Sequence, residues 1–223
     1  MSATPADQDR AGTRTRAAVG VVGELLLTAG VVLCLFVVYA LFGTGVATSQ
    51  AQDALDRELE ALDRLEVGGD TTAEGAAEAQ AGAAYARMRI PRLGEGWEWV
   101  VVQGVEVADL QRGPGHYLAS ADPGEIGNFA VAGHRATYGE PFAHLDRVRV
   151  GDAILVDYQG AEYRYLVTES FLTTPGNGDV VAPVPGDPTA RPTEALITLT
   201  TCHPRFSGRE RLIIHGVLEG QVD

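Results

Sequence analysis

The chain is predicted to be mainly β, an all-β barrel or sandwich with small inserted helices, behind a single N-terminal membrane span. Three observations predict this. Residues 25–47 carry no charge, residues 67–84 collapse to Gly, Ala, Thr and Glu, and residues 85–223 hold a series of short runs rich in β-branched and aromatic residues.

At helical rise, residues 25–47 are long enough to cross a hydrocarbon core of ~30 Å. Arg10, Arg14 and Arg16 precede the run and acidic residues dominate after it, so the positive-inside rule makes residues 1–24 a cytoplasmic tail. The bulk of the chain is then extracellular, and Glu24 marks the cytoplasmic edge of the span. A secretory signal cleaved near Ser49 or Ala51 is the competing reading, but such signals have apolar cores of only ~7–15 residues. A buried core helix would show a polar face.

Residues 48–84 divide in two. Leu55, Leu59, Leu62 and Leu65 recur at helical spacing over 49–66, with Asp53/Arg57 and Glu60/Arg64 as i,i+4 pairs. The stripe covers too few heptads for a coiled coil, so a solvated juxtamembrane spacer helix is expected. The stretch from 67 to 84 reads as a flexible linker.

Residues 85–223 are a comfortable size for one domain. Strands are expected at 87–90, 97–102, 129–133, 153–157, 163–168, 196–201 and 212–218, and helices at 105–111 and 141–147. Residues 173–193 hold too much Gly and Pro for regular structure and read as a long loop able to wall a groove.

The formal net charge of −13 argues against nucleic acid as a partner, because phosphate binding needs a basic face. All 17 basic residues are arginine, which removes lysine nucleophiles and Schiff bases from consideration.

Cysteine usage points to chemistry. Cys202 closes the strand-like run 195–202 on the outer side of the membrane, while Cys34, the other cysteine, lies inside the span. A bridge between them is geometrically excluded, and a lone thiol in an oxidising compartment is better understood as a nucleophile than as packing. Cysteine catalysis also needs a proton shuttle and a positive group where charge develops on the attacked carbonyl. His134 ends the strand 129–133 and Arg211 opens the last strand. If the flanking strands pair as a hairpin, Cys202 and Arg211 emerge at the same sheet edge. Taken singly, each has a plain structural explanation, as a small buried hydrophobe, a strand-end histidine and a surface arginine.

The segment Thr198-Leu199-Thr200-Thr201-Cys202-His203-Pro204, with Arg211 at the start of the next strand, resembles the active-site signature of sortases. These are the membrane-anchored transpeptidases of Gram-positive bacteria. Residues 128–142, with Gly133-His134-Arg135, resemble the family's histidine segment, and residues 113–117 the segment before it. The likeness covers about residues 85–220 and is greatest to class E, with classes D and F as alternatives.

That resemblance implies a closed or partly open barrel of about eight strands. It also implies Cys202 as nucleophile, His134 as acid/base and Arg211 as the positive group over the substrate carbonyl. The implied reaction cleaves a C-terminal Leu-Ala-x-Thr-Gly or Leu-Pro-x-Thr-Gly signal between Thr and Gly, and joins the protein through a thioester to a peptidoglycan precursor amine. Implied partners are surface proteins bearing the signal and the membrane, with no cofactor. Tyr117 and Thr201 are the implied substrate-binding residues, Tyr117 toward the second residue of the signal. Arg205 and Arg209 rival Arg211, since strand parity does not separate Arg209 from it. His116, His144, His203 and His215 read as structural or loop residues. No Cys-x-x-Cys or His-Glu-x-x-His spacing supports zinc, and no acidic cluster in the 173–193 loop has a ligand pattern that decides calcium dependence. Other wall-directed cysteine enzymes lack support around Cys202, and a non-catalytic wall-binding domain would leave the thiol unexplained.

Overall fold

The computed structural model describes residues 5–39, 43–67 and 81–222, which form two units, 1–43 and 44–223. In the first unit, helix α1 (Pro5–Val38) contains a stretch, Val19–Val38, that is long and apolar enough to cross a membrane and has its apolar side chains exposed. Residues 44–47, expected within the span, instead open a second helix, α2 (Thr44–Val67), in the second unit. The expected linker falls mostly on 68–80, outside the described residues.

Eight strands come next among the described residues: β1 (Ala84–Arg89), β2 (Glu98–Gln103), β3 (Gly115–His116), β4 (Gly127–Ala132), β5 (Ala153–Tyr158), β6 (Ala161–Thr173), β7 (Ala195–His203) and β8 (Glu210–Val222). They close into a barrel in the order β1-β2-β3-β4-β7-β8-β6-β5, β5 returning to β1, which decides between barrel and sandwich. Closure gives every one of these strands two neighbours, and the inward side chains form one core around Tyr165, Phe129, Met88, Ile197, Leu199 and Ile214.

Two strand pairs matter most. β4 runs parallel to β7, with Ala132 beside Thr200, and β7 pairs antiparallel with β8, with Cys202 opposite Arg211. Strand β7 is buried on both faces. Ile197 and Leu199 enter the core, whereas Thr198 on the other face donates its hydroxyl toward Asn128 Oδ1 (2.8 Å) and the carbonyl of Val180 (3.2 Å). Asn128 Nδ2 in turn donates to the Ala182 carbonyl at 2.9 Å. The Gly/Pro-rich segment before β7 is therefore pinned to the barrel wall through a single turn of 3-10 helix at Gly178–Val181.

Several local expectations change. The helix expected at 105–111 shortens to α3 (Val107–Leu110), closed by a Glu106/Asp109 capping box. That expected at 141–147 is reduced to a 3-10 turn at Leu145–Arg147. β3 was not foreseen, because a two-residue ladder has no periodicity to detect.

The larger correction concerns α2, expected as a solvated spacer. Leu55 and Leu59 are buried and pack with Ala84, Val100 and Val102 of β1 and β2. Burying such side chains is worth ~1.5–3 kcal/mol each. Gln52 adds a polar clamp: its amide donates to the carbonyls of Val100 (3.0 Å) and Arg112 (2.8 Å) and accepts from the Val100 N–H (2.8 Å). Asp56 pairs with Arg87 on the same face. Propensity and a short stripe did not reveal this, because the complementary surface comes from strands distant in sequence.

Candidate active site

Cys202 and Arg211 face each other across the β7–β8 ladder, as the hairpin expectation required. Cys202 is a free thiol, half-buried near the strand end. Arg211 Nη1 donates to the carbonyls of Gly208 (3.3 Å) and Glu210 (3.2 Å) rather than to a carboxylate. Its guanidinium is thus oriented by neutral groups.

His134 reaches the same place from β4. The parallel β4–β7 register ends at Ala132/Thr200 and is prolonged by two bonds: Gly133 N–H donates to the Thr200 carbonyl (3.1 Å), and the Thr201 hydroxyl donates to the Gly133 carbonyl (2.7 Å). The residues directly before His134 and Cys202 are thus bonded to each other. Thr201 is only 3% exposed, so its hydroxyl serves the barrel wall.

The imidazole of His134 is half-buried, and its Nε2 has no hydrogen-bond partner among the described residues. Burial disfavours the charged ring and pushes its pKa below the ordinary imidazole value. The neutral ring is the ground state, with one nitrogen uncommitted. Tyr138 lies against it with ring centroids 5.0 Å apart.

Tyr117 comes directly after β3 and is half-buried, its N–H donating to the Ala130 carbonyl at 3.0 Å. Burial raises its phenol pKa, and the charge of Arg211 opposes that rise. Cys202 and Arg211 pair near one end of the β7–β8 ladder, with His134 just past the end of β4.

The structure separates the rival arginines. Arg205 pairs with Glu140, and Arg209 lies before the first residue of β8, exposed. Arg211 alone of the three sits in register with Cys202.

Sequence reasoning passed over Arg135. This buried side chain, 6% exposed, donates Nη1 to Nδ1 of His203 (2.6 Å) and weakly to the Cys202 carbonyl (3.5 Å), while Nη2 pairs with Asp146 at 3.0 Å. It ties the histidine loop to the strand end bearing the cysteine. The available signal was its place directly after His134, which pattern reading treats as one arginine among many. His203 is part of this arrangement, whereas His116 is stacked on Tyr85 at 4.5 Å and bonded to Gln103 (2.6 Å) inside the barrel. His144 is exposed, and His215 packs edge-on against Phe171. Among the described residues, no cluster of His, Cys, Asp and Glu is arranged to hold a metal ion.

Residues 88–219 match the family described as Sortase domain. The sortase SrtE1 of Streptomyces coelicolor is 34% identical over 207 residues, covering 87% of this chain and 55% of that protein, so the chain spans about half of that relative's length. Sortase SrtE2 of the same organism is 33% identical over 222 residues, covering 94% of this chain and 85% of the relative. The solved structure of sortase E from Streptomyces avermitilis has a TM-score of 0.58 and 37% identity, covering 64% of this chain and 92% of that one.

Proposed function

The chain belongs to the sortase family, nearest to class E, and from that premise we propose that Cys202, His134 and Arg211 carry out its cysteine transpeptidase reaction on a C-terminal sorting signal of Leu-Ala-x-Thr-Gly or Leu-Pro-x-Thr-Gly type. The observation that carries the assignment is the pairing of Cys202 with Arg211 on β7 and β8, with Thr201 before Cys202 bonded to Gly133 before His134, whose Nε2 has no partner among the described residues.

The chemistry follows from these groups. The Cys202 thiolate attacks the carbonyl carbon of the threonine in the Thr-Gly bond, and the tetrahedral oxyanion develops next to the Arg211 guanidinium. Collapse breaks the C–N bond, His134 as imidazolium delivers its proton to the departing glycine amine, and a thioester to Cys202 remains. An amine of the peptidoglycan precursor then attacks the thioester, loses a proton to His134, and leaves with the acyl group as the thiolate is restored. Because burial favours neutral His134, the imidazolium that serves as the acid is a minor population at neutral pH, and slow turnover is expected. Tyr117 contacts the second residue of the signal, whereas Thr201, 3% exposed with its hydroxyl donated to the Gly133 carbonyl, supports the strand that carries Cys202 rather than binding the signal through its side chain.

The helix segment Val19–Val38 serves as the membrane anchor in this reading, with the arginine-bearing N-terminus cytoplasmic and the barrel outside. Surface proteins carrying the signal and the membrane-borne precursor then meet the enzyme on the same side.

The deciding experiment incubates the full chain in detergent with Leu-Ala-x-Thr-Gly and Leu-Pro-x-Thr-Gly peptides and a glycine-based amine. Transfer with at least one peptide, abolished in Cys202→Ala, is expected. Absence of transfer with both, or transfer that survives Cys202→Ala, overturns the proposal.

A further inference from the structure

The turn beyond His134 holds three consecutive residues in the left-handed region: Tyr138 (φ 52°), Gly139 (φ 73°) and Glu140 (φ 52°). For an aromatic such as Tyr138 this conformation is uncommon, and it persists only where the surroundings over-determine it. The surroundings here come from two directions. Glu140 is paired with Arg205 of the β7–β8 loop. On the other side stand Trp99 of β2 and Thr48 of α2: a side chain added at Gly139 would meet the Trp99 ring at 2.7 Å and the Thr48 methyl at 3.1 Å. Glycine is thus required at 139 both by its φ and by this close approach.

Thr48 is 1% exposed and engaged on both of its groups. Its methyl abuts Gly139, and its hydroxyl donates toward the Gln111 carbonyl at 2.8 Å, sharing the proton with the Thr44 carbonyl one helical turn back at 3.0 Å. Gln111 in turn donates from Nε2 to the Tyr138 hydroxyl at 3.3 Å, and the Tyr138 ring lies 5.0 Å from that of His134. A continuous path therefore runs from α2, which opens at Thr44, close in sequence to the end of the apolar segment at Val38, to the histidine of the site.

We infer that α2 is a positioning element for His134, with Thr48 its point of action through Gln111 and Tyr138. The inference rests on the assignment of His134 as acid/base made above. The helix next in sequence to the apolar segment is thereby part of the apparatus that aims the proton-transfer group. Thr48, Gln111 and Tyr138 are not among the residues assigned to the sorting signal, so loss of the path changes proton transfer and leaves substrate binding as it was.

The test uses the full chain in detergent, with transpeptidation kinetics and the imidazole ring resonances of His134, His116 and His215 as separate readouts. Thr48→Val keeps the shape and removes the hydroxyl, and Tyr138→Phe keeps the ring and removes the acceptor. Each is expected to lower kcat roughly threefold to tenfold, the equivalent of one hydrogen bond, with KM within about twofold. The double variant is expected to be no worse than the more impaired single variant, because both cut one path. Thr48→Ser, which keeps the donor, should retain most of the rate. The His134 resonances should move in both single variants while those of His116 and His215 stay. Wild-type kcat in Thr48→Val, a loss confined to KM, or unchanged His134 resonances would overturn the inference. If the wild-type chain itself transfers no peptide, the proposed sortase chemistry fails, and the His134 resonances alone decide whether α2 sets this ring.

Discussion

The Thr201 hydroxyl donates to the carbonyl of Gly133 at 2.7 Å, so the residue before Cys202 and the residue before His134 are bonded to each other. Both bonded groups are buried, and the contact extends the parallel β4–β7 register beyond the last ladder pair. Cys202 and His134 thus follow residues that are tied to each other within the barrel wall.

Arg211→Ala is expected to reduce kcat by about 10²–10³, the usual cost of removing one group that stabilises an oxyanion. Arg209→Ala should stay within about twofold, since Arg209 lies outside the ladder and exposed. Peptide-transfer kinetics on the two variants decide the matter, and the reverse order would move the cationic role to Arg209.

Arg135→Lys retains the charge but lacks the planar fork that reaches His203 and Asp146 together. A loss of roughly 1–3 kcal/mol of stability is expected from the unpaired buried groups, together with reduced kcat. Urea denaturation and single-turnover kinetics measure the two effects, and an unchanged unfolding midpoint would contradict the bridging role.

Leu55→Ala should cost about 2–5 kcal/mol, because it opens a cavity between α2 and the barrel, whereas Leu62→Ala, at a largely exposed position of the same helix, should cost little. Chemical denaturation of the chain from residue 44 onward gives the comparison. Equal small effects would restore α2 to a solvated spacer.

Acid should destabilise the domain before its carboxylates titrate. Burial lowers the pKa of His116, His134 and His215 below the ordinary value of 6.5. Between the folded and unfolded values the unfolded chain binds more protons, so stability is complete above about pH 6.5 and is lost as pH falls through the lowered values. Melting temperature measured from pH 7.5 to 5 should fall, and His116→Gln should make that slope shallower. A melting temperature that rises toward pH 5 would contradict the sign.

Much of the site was legible in the chain because its residues lie at strand ends defined by local pattern. Gly133-His134 and Thr201-Cys202 close β-branched runs, and the short span from Cys202 to Arg211 allows only a tight return. What escaped were contacts with no local signature. The two-residue strand β3, the Arg135 bridge and the packing of Leu55 and Leu59 each depend on partners distant in sequence.

By itself, then, the sequence determined the apolar helix and the β-rich domain, because hydropathy and periodicity are written along the chain, and its resemblance to the sortases supplied the candidate reacting residues. Only the tertiary structure decided that Arg211 rather than Arg205 or Arg209 faces Cys202, and that α2 buttresses the histidine turn. Both depend on barrel closure, which sets strand register and brings Thr48, Gln111 and Tyr138 within bonding distance across intervals that no local pattern records.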